Sequence, residues 1–424
     1  MKSFTNALFA AALLAGGASL AVQPAAAQKK DKKAEGAGLK LSKEVQGPAA
    51  AAQTAIAAND LATAEASLAQ IDAAAKTDDE RYIAAALRLN VEAKKIAANQ
   101  GSDAALAVPL KALVSNPKTP PADLGRYNYE LGRIATNAKD NAGAAQYFAA
   151  AQAAGYSNPN MTLQLVKSKA DAGDLAGASA EMDKVIASQA AAGQKPGEDL
   201  YRYMIAKSNQ KRNGALTYTW LKKYVEAYPT AKNWRDVVTT FGLTSGGVAT
   251  LDKGQKVDLF RLLRHGKALA DQYDYEIYGQ YAFDLGIPWE AKTVLSQGTS
   301  SGKIPAGSAN ATSLLAASNK SISNEGSLSG LETRANAAAN GKLAASTADA
   351  FFGTGDYAKA AGLYRTALQK GQVDADAVNT RLGIALAYSG DKAGARTAFE
   401  AVKGQPRADL AGLWIEYLDH PPVG

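Results

Sequence analysis

One pattern of small, acidic and bulky residues recurs along this sequence at a nearly constant spacing. Near the C-terminal end, the pattern consists of Gly355, Asp356, Ala360 and Tyr364 in one copy, and of Gly390, Asp391, Ala395 and Phe399 in the next. These two copies are 35 residues apart, and another pair, starting at Lys139 and Gly173, is 34 residues apart. Such a period is typical of repeat proteins, in which each unit completes its core only by stacking on its neighbours.

The order of residue types within a copy predicts a pair of helices. A glycine or another turn residue ends the first helix, and an aspartate caps the second. A small residue then lets the two helices cross closely, and a bulky residue fills the space towards the next copy. Because alanine, the strongest helix former, dominates the composition, the sequence predicts an all-α fold, an α-solenoid of antiparallel helical hairpins. The residues expected to pack these hairpins are Gly132, Ala144, Ala178, Gly279, Ala291, Gly355, Ala360, Ala367, Gly383, Gly390 and Ala395.

The second helix of the copy at Gly355 resembles the signature of tetratricopeptide repeats. The residues that carry the resemblance are Gly355, Asp356, Tyr357, Ala360, Tyr364, Ala367 and Leu368, with Ala348 and Phe351 in the preceding helix. The resemblance implies a tetratricopeptide-like superhelix whose concave groove, lined by the first helices, binds an extended peptide or another protein. It implies a scaffold with no catalytic residues and no cofactor.

The repeats do not account for the whole chain. Weaker copies begin at Asn59 and Gly286, and the segment 210–228 fits the pattern only with shifts of a few residues. The predicted organisation is an export signal over 1–27, a basic flexible leader over 28–47, N-terminal helical repeats over 48–229, a helix and connecting loop over 230–254, a degenerate repeat over 255–298, a Ser/Asn/Ala-rich insert over 299–341, and two C-terminal repeat units with a terminal helix over 342–424. For the insert, the apolar spacing favours two helices around a turn near Gly326 over a disordered linker.

The first 27 residues have the three parts of a signal peptide. Lys2 gives a positive start, residues 7–15 are apolar, and three alanines at 25–27 form a small-residue cleavage site. We therefore expect an exported bacterial protein, located in the periplasm or associated with the outer membrane. No later segment is apolar enough to span a bilayer.

Few residues are suited to catalysis or metal binding. The chain has no cysteine, which excludes disulfides and thiolate ligands, and its only histidines are His265 and His420. His265 is interpreted as a residue stabilised by the dipole at a helix C-terminus. Ser300 lies in the sequence Gly-Thr-Ser-Ser-Gly, but the strand-to-helix turn that a nucleophilic serine requires is not expected there. Catalytic residues, metal sites and cofactors are not predicted.

A cluster of aromatic and basic residues between 201 and 235 is the strongest candidate for a binding surface. Its members proposed for binding are Tyr201, Arg202, Lys211, Arg212, Trp220, Lys222, Lys223 and Tyr224. Rings beside cations suit an acidic peptide, a cell-wall glycan or another anionic polymer. The other interpretation, left open here, is that the rings pack between hairpins while the lysines solvate the rim. The net charge of +7 is spread along the chain, which does not favour a nucleic-acid partner.

Overall fold

The computed structural model describes residues 39–158 and 160–423, so the predicted export signal lies outside the described residues. Within these ranges all regular secondary structure is helical, in 21 α-helices with one 3-10 turn and one π turn. The helices group into two compact units, and the boundary along the chain lies between Lys195 and Pro196. The predicted all-α architecture of stacked helical hairpins is confirmed.

The first unit is an open array of hairpins. Its helices are α1 (Lys43–Ala57), α2 (Leu61–Ala74), α3 (Asp78–Ala97), α4 (Ala107–Val114), α5 (Pro121–Asn137), α6 (Asn141–Ala153), α7 (Met161–Asp171) and α8 (Leu175–Ala191), with the 3-10 turn Asp103–Leu106 before α4. Each helix makes its main contacts with the helices next to it, or next but one, in the chain. Hydrophobic clusters follow each other along the array, and α3 contributes Leu87 to one cluster and Leu89 to the next.

The second unit contains the remaining helices. They are α9 (Glu198–Gln210), α10 (Gly214–Ala227), α11 (Ala231–Val238), α12 (Lys253–His265), α13 (Gln272–Asp284), α14 (Pro288–Ser300), α15 (Ala309–Glu325), α16 (Leu328–Ala337), α17 (Lys342–Thr354), α18 (Tyr357–Lys370), α19 (Ala375–Tyr388), α20 (Lys392–Glu400) and α21 (Arg407–Asp419), and the π turn Thr239–Leu243 follows α11. Among the described residues, no helix is both long and apolar enough to cross a membrane.

The same turn joins the two helices of seven hairpins. A residue with positive φ ends the first helix, and the next residue returns its backbone N–H to the carbonyl five positions earlier, a common helix C-terminal motif. The positive-φ residues are Asn59, Lys139, Gly173, Arg212, Gly286, Gly355 and Gly390. In six of the seven, the following Asp or Asn accepts a hydrogen bond from the backbone of the second helix. In the seventh, Pro288 begins the helix, a position that needs no N–H.

Small residues lie where paired helices cross. A Cβ atom added to Gly132 would lie 2.6 Å from the ring of Phe148, and one added to Gly383 would lie 2.5 Å from the ring of Phe399. At Gly279 the corresponding neighbour is Leu295, at 2.9 Å. The alanines expected at such contacts have no exposed surface, and they are Ala144, Ala178, Ala291, Ala360, Ala367 and Ala395. Close approach of the helix backbones therefore depends on these positions remaining small.

The second unit differs from an open array because its last helix returns to its beginning. Helix α21 packs against α10 and α12 as well as against its neighbours α19 and α20. The Tyr218 hydroxyl on α10 donates to the carbonyl of Asp409 at 2.9 Å, and the Trp234 indole on α11 donates to the carbonyl of His420 at 2.9 Å. Long-range contacts of this kind close the second unit.

Two boundaries differ from those drawn on the sequence. Helix α1 begins at Lys43, within the predicted leader, because Leu39 and Leu41 pack on the first core and the Ser42 N–H donates to Glu80. Hairpin α9–α10 belongs to the second unit, since α10 packs on α21. The loop before residue 254 consequently lies inside the second unit and does not join the units. Within the insert, α15 and α16 are separated at Gly326, whose φ is +85°.

Candidate functional site

The aromatic side chains of the candidate binding cluster lie mostly inside the second unit. Trp220 is fully buried, and Tyr201 and Tyr224 are 5% and 2% exposed. Tyr201 on α9 meets Trp220 on α10 edge-on, with 6.1 Å between the ring centroids. These rings form the contact between the two helices of hairpin α9–α10. They have no free face on which a sugar ring could stack, so their burial does not favour the glycan alternative.

Arg202 is the centre of a small polar network at the edge of these rings. Its Nε atom donates to the Tyr224 hydroxyl at 2.8 Å and to Glu198 at 3.2 Å, and Tyr224 in turn donates to Glu198. This bond from Tyr224, together with Arg202, lowers the pKa of Glu198. Burial and the same carboxylate raise the pKa of Tyr224. Arg202 therefore orders hairpin α9–α10 and is already engaged by anions of its own chain.

The remaining cations of the cluster form a basic rim, which we define as Lys211, Arg212, Lys222 and Lys223. Lys211 and Arg212 are exposed on the turn between α9 and α10. Lys222 lies 5.2 Å from the centre of the Tyr218 ring, and Lys223 lies 4.6 Å from that of Trp220. Among these four cations, Lys211 and Arg212 on the turn are the well-exposed ones, because the two lysines of α10 lie over rings of their own helix.

Hairpin α9–α10 is a repeat that the spacing of residues in the sequence did not reveal clearly. Its turn has Arg212 where four other copies have glycine, and Asn213 where five others have aspartate. At the crossing, Thr217 replaces the usual alanine and donates to the Ser208 hydroxyl at 3.0 Å, with both residues fully buried. The signal available in the sequence was Asn213, a residue type that caps helices, directly after the turn.

Sequence reasoning also missed a buried ionic network in the second unit. Arg261 on α12 is fully buried and holds Glu290 on α14 through two hydrogen bonds, of 2.9 and 2.6 Å. It also donates to Asp258 at 2.9 Å, and its guanidinium lies 4.4 Å from the centre of the Phe352 ring. Burial opposes the charge of Arg261, yet the attraction of Glu290 raises its pKa.

The network extends from Arg261 to residues on four more helices. Arg407 on α21 donates to Asp258 at 2.8 Å. Arg381 on α19 donates to Asp349 on α17 at 2.7 Å, and Tyr364 on α18 donates to the same carboxylate at 2.6 Å. Burial alone would raise the pKa of Glu290, but Arg261 lowers it below its ordinary value. Cations and carboxylates alternate in this network, so the arrangement fixes helix positions and presents no free nucleophile or base.

The surroundings of Ser300 do not suit a catalytic nucleophile. Ser300 is the last residue of α14, and its hydroxyl donates to the carbonyl of Gln297 at 3.1 Å. Strand-to-helix geometry is therefore not present at Ser300. Within the part of the chain that the structure describes, no group of three or more His, Asp or Glu side chains is placed to hold a metal ion.

Comparison with known proteins does not assign a family. No family model matches the sequence, and no curated protein matches it. Among solved structures, the crystal structure of the pentatricopeptide repeat protein PPR10 from maize is similar to 87% of this chain, with 13% sequence identity and a TM-score of 0.27. This chain covers 60% of that protein. The fold described above rests on the helices and contacts of this chain themselves.

Proposed function

We propose that this chain is a non-enzymatic scaffold of the tetratricopeptide type, exported to the bacterial cell envelope, where it binds another protein or an extended peptide. The observation that carries the proposal is the short turn that joins the paired helices of seven hairpins, in which a residue with positive φ is followed directly by the N-cap of the second helix. Stacked hairpins place equivalent helices side by side, so affinity can be assembled from many modest contacts along one face.

The first unit is the better candidate for the binding face. Its hairpins contact mainly their chain neighbours, which leaves the sides of the array uncovered. In the second unit α21 covers parts of α10 and α12. In the second unit, the exposed cations Lys211 and Arg212 of the basic rim are a separate candidate contact, for acidic segments of a partner.

Site-specific photo-crosslinking in cells tests which face binds. A photoreactive side chain placed at Lys94 or Lys167, exposed on the first helices α3 and α7, is expected to give adducts of discrete mass. The matched control positions are Gln146 and Lys184, which are exposed on the second helices α6 and α8. Fewer adducts are expected from them, because the first helices line the proposed groove. Adducts of equal yield from both sets, or from neither set, would contradict the proposal.

Charge reversal tests the contribution of the basic rim. Lys211→Glu combined with Arg212→Glu is expected to weaken binding of the cross-linked partner and to reduce its dependence on salt. Lys267→Glu combined with Lys303→Glu is the matched control, since it makes the same change of charge at exposed turn positions of the second unit outside the basic rim, and Lys267 has a φ of +53° against +54° for Arg212. An equal loss of affinity in the control variant would remove the basic rim from the proposal.

A further inference from the structure

His265 lies at the C-terminal end of α12, at the place where α21 docks. Its Nδ1 atom is 2.7 Å from the hydroxyl oxygen of Tyr417 on α21. The imidazole meets the Tyr388 ring of α19 edge-on, with 4.5 Å between centroids, and the Trp414 ring of α21 at 6.3 Å. The histidine, at the end of α12, thus packs against both α19 and α21. The sequence predicted only its position at a helix end.

The hydrogen bond to Tyr417 suits a neutral ring. Nδ1 can accept from the Tyr417 hydroxyl while the other ring nitrogen carries the proton. Tyr417 keeps its own proton, because burial raises its pKa to about 12. The backbone of Ala387 acts the other way and raises the pKa of His265, but burial outweighs it.

Burial and the nearby side-chain charges oppose a second proton on His265, and they act against the C-terminal dipole of α12, which favours the charged ring. Burial is the main cause that lowers the pKa of His265, and the charge of Lys392 at the start of α20 lowers it further. Within α12, the preceding residue, Arg264, is also cationic. On α19, the facing residue Tyr388 is neutral, since burial raises its pKa.

The nearby carboxylates have other partners. On α21, Glu416 interacts with His420 and Lys222, and Asp419 pairs with Arg396. On α12, the carboxylate of Asp258 is held by Arg261 and Arg407. A protonated His265 would therefore bring an uncompensated positive charge into the contact between α12 and α21.

We propose that His265 makes the docking of α21 sensitive to pH, so that this helix acts as a latch that holds at neutral pH and loosens in acid. The contact through Tyr417 and the enclosing rings of Tyr388 and Trp414 carry this inference, because an undocked α21 would release the ring to water. The inference does not depend on the proposed binding function.

The direction of the effect follows from proton linkage. The undocked state, with His265 in water, binds a proton at about pH 6.5, whereas the docked state binds it only at lower pH. Docking is therefore at full strength above about pH 6.5 and weakens as the pH falls below that value, until the docked state is protonated as well. Each unit of difference between the two pKa values weakens docking roughly tenfold.

Hydrogen exchange of the full chain tests the latch. Amide protection in α21 is compared between the wild type and His265→Phe, which keeps a ring but cannot titrate, at about pH 7.5 and about pH 5.5. Protection of α21 in the wild type, relative to the variant at the same pH, is expected to fall about tenfold on acidification. Amides of the first unit serve as the internal reference. A ratio that stays constant between the two pH values would overturn the proposal.

Histidine NMR gives an independent measurement on the wild-type chain. The sequence has two histidines, and His420→Gln assigns their resonances. The pKa of His265 is expected below about 6.5, its ordinary value, and should rise towards that value in Tyr417→Phe if α21 docks less tightly. A wild-type pKa at or above about 6.5 would show that the ring tolerates protonation in place, and the latch would then be rejected.

Discussion

Removing the side chain of Arg261 would leave the buried carboxylate of Glu290 without a cationic partner. Taking an ion out of water costs several kcal/mol, which paired geometry offsets only while both partners remain. Glu290 is fully buried, and its other hydrogen-bond partner on α13, Tyr278, is neutral because burial raises its pKa. Without Arg261, Glu290 would therefore lack a directly bonded cation.

We expect Arg261→Met to lower the free energy of unfolding of the second unit by about 3–5 kcal/mol. The control, Arg88→Met, removes an arginine whose ion pair with Asp72 is exposed, and its cost should stay below about 1 kcal/mol. Urea denaturation monitored by circular dichroism measures both. Equal losses of stability in the two variants would argue against a stabilising role for the buried network. Adding Glu290→Met to Arg261→Met should restore part of the lost free energy of unfolding, because no buried carboxylate is then left unpaired at this position.

At this scale the sequence predicts local chemistry and misses distant pairing. Asp391 caps α20 through the N–H of Gly394, three residues away, and such a bond can be read from spacing. Asp258, a partner of Arg261, is three residues away on the same helix, but its other two partners, Glu290 and Asp349, are 29 and 88 residues away. An arginine within an apolar run was visible, but nothing local indicated these two distant carboxylates.

At the scale of helices, the crossing within each hairpin depends on which residue faces the partner helix. Gly383 on α19 lies against Phe399 on α20, with no room for a Cβ atom. Gly362 on α18 has nothing within 4 Å of its hypothetical Cβ atom. The two glycines are therefore alike in helix propensity but opposite in packing.

Gly383→Ala is expected to destabilise the second unit by roughly 1–3 kcal/mol, because the added methyl group must displace the Phe399 ring. Gly362→Ala should instead stabilise it by up to about 1 kcal/mol, the difference in helix propensity between the two residues. The midpoints of urea unfolding give both values. Destabilisation by both substitutions would mean that the crossing of α19 and α20 is not the cause.

Helix pairing was largely predictable where glycine or aspartate occupied the turn. Hairpin α9–α10 was harder to recognise because its turn contains neither glycine nor aspartate: Arg212 adopts the left-handed conformation, with φ of +54°, and Asn213 is the cap. The aromatic cluster could not be resolved from the sequence either. Whether Trp220 faces the core or water depends on the rotation of α10, which its contacts with α9 and α21 set.

At the scale of the whole molecule, the two units differ in how they end. The first is an array of neighbour contacts, as the repeat period predicts. The second is closed by α21, whose partners on α10 and α11 are 191 and 186 residues away, at Tyr218 and Trp234. A terminal helix was predicted, but the sequence pattern of that helix contains nothing that specifies a return to the start of the unit.

Removing α21 by ending the chain before Arg407 is expected to increase amide exchange in α10, α11 and α12, far away in the sequence. The physical reason is that α21 covers α10 and α12 and satisfies the indole of Trp234. Hydrogen exchange with mass spectrometry measures this, with the first unit as reference. Increased exchange confined to α19 and α20 would show that the closure contributes little.

The closure also affects how each unit would respond to a stretching force. In the first unit, hairpins joined only to their neighbours can peel away one after another under low tension. In the second unit, the bond from the Val423 N–H to the Pro229 carbonyl, at 2.7 Å, and the indole bond of Trp234 bridge distant parts of the chain. A stretching force would have to break these bonds together, so we expect the second unit to unfold in one step at a higher force. The hairpins inside it would then not extend gradually, one at a time.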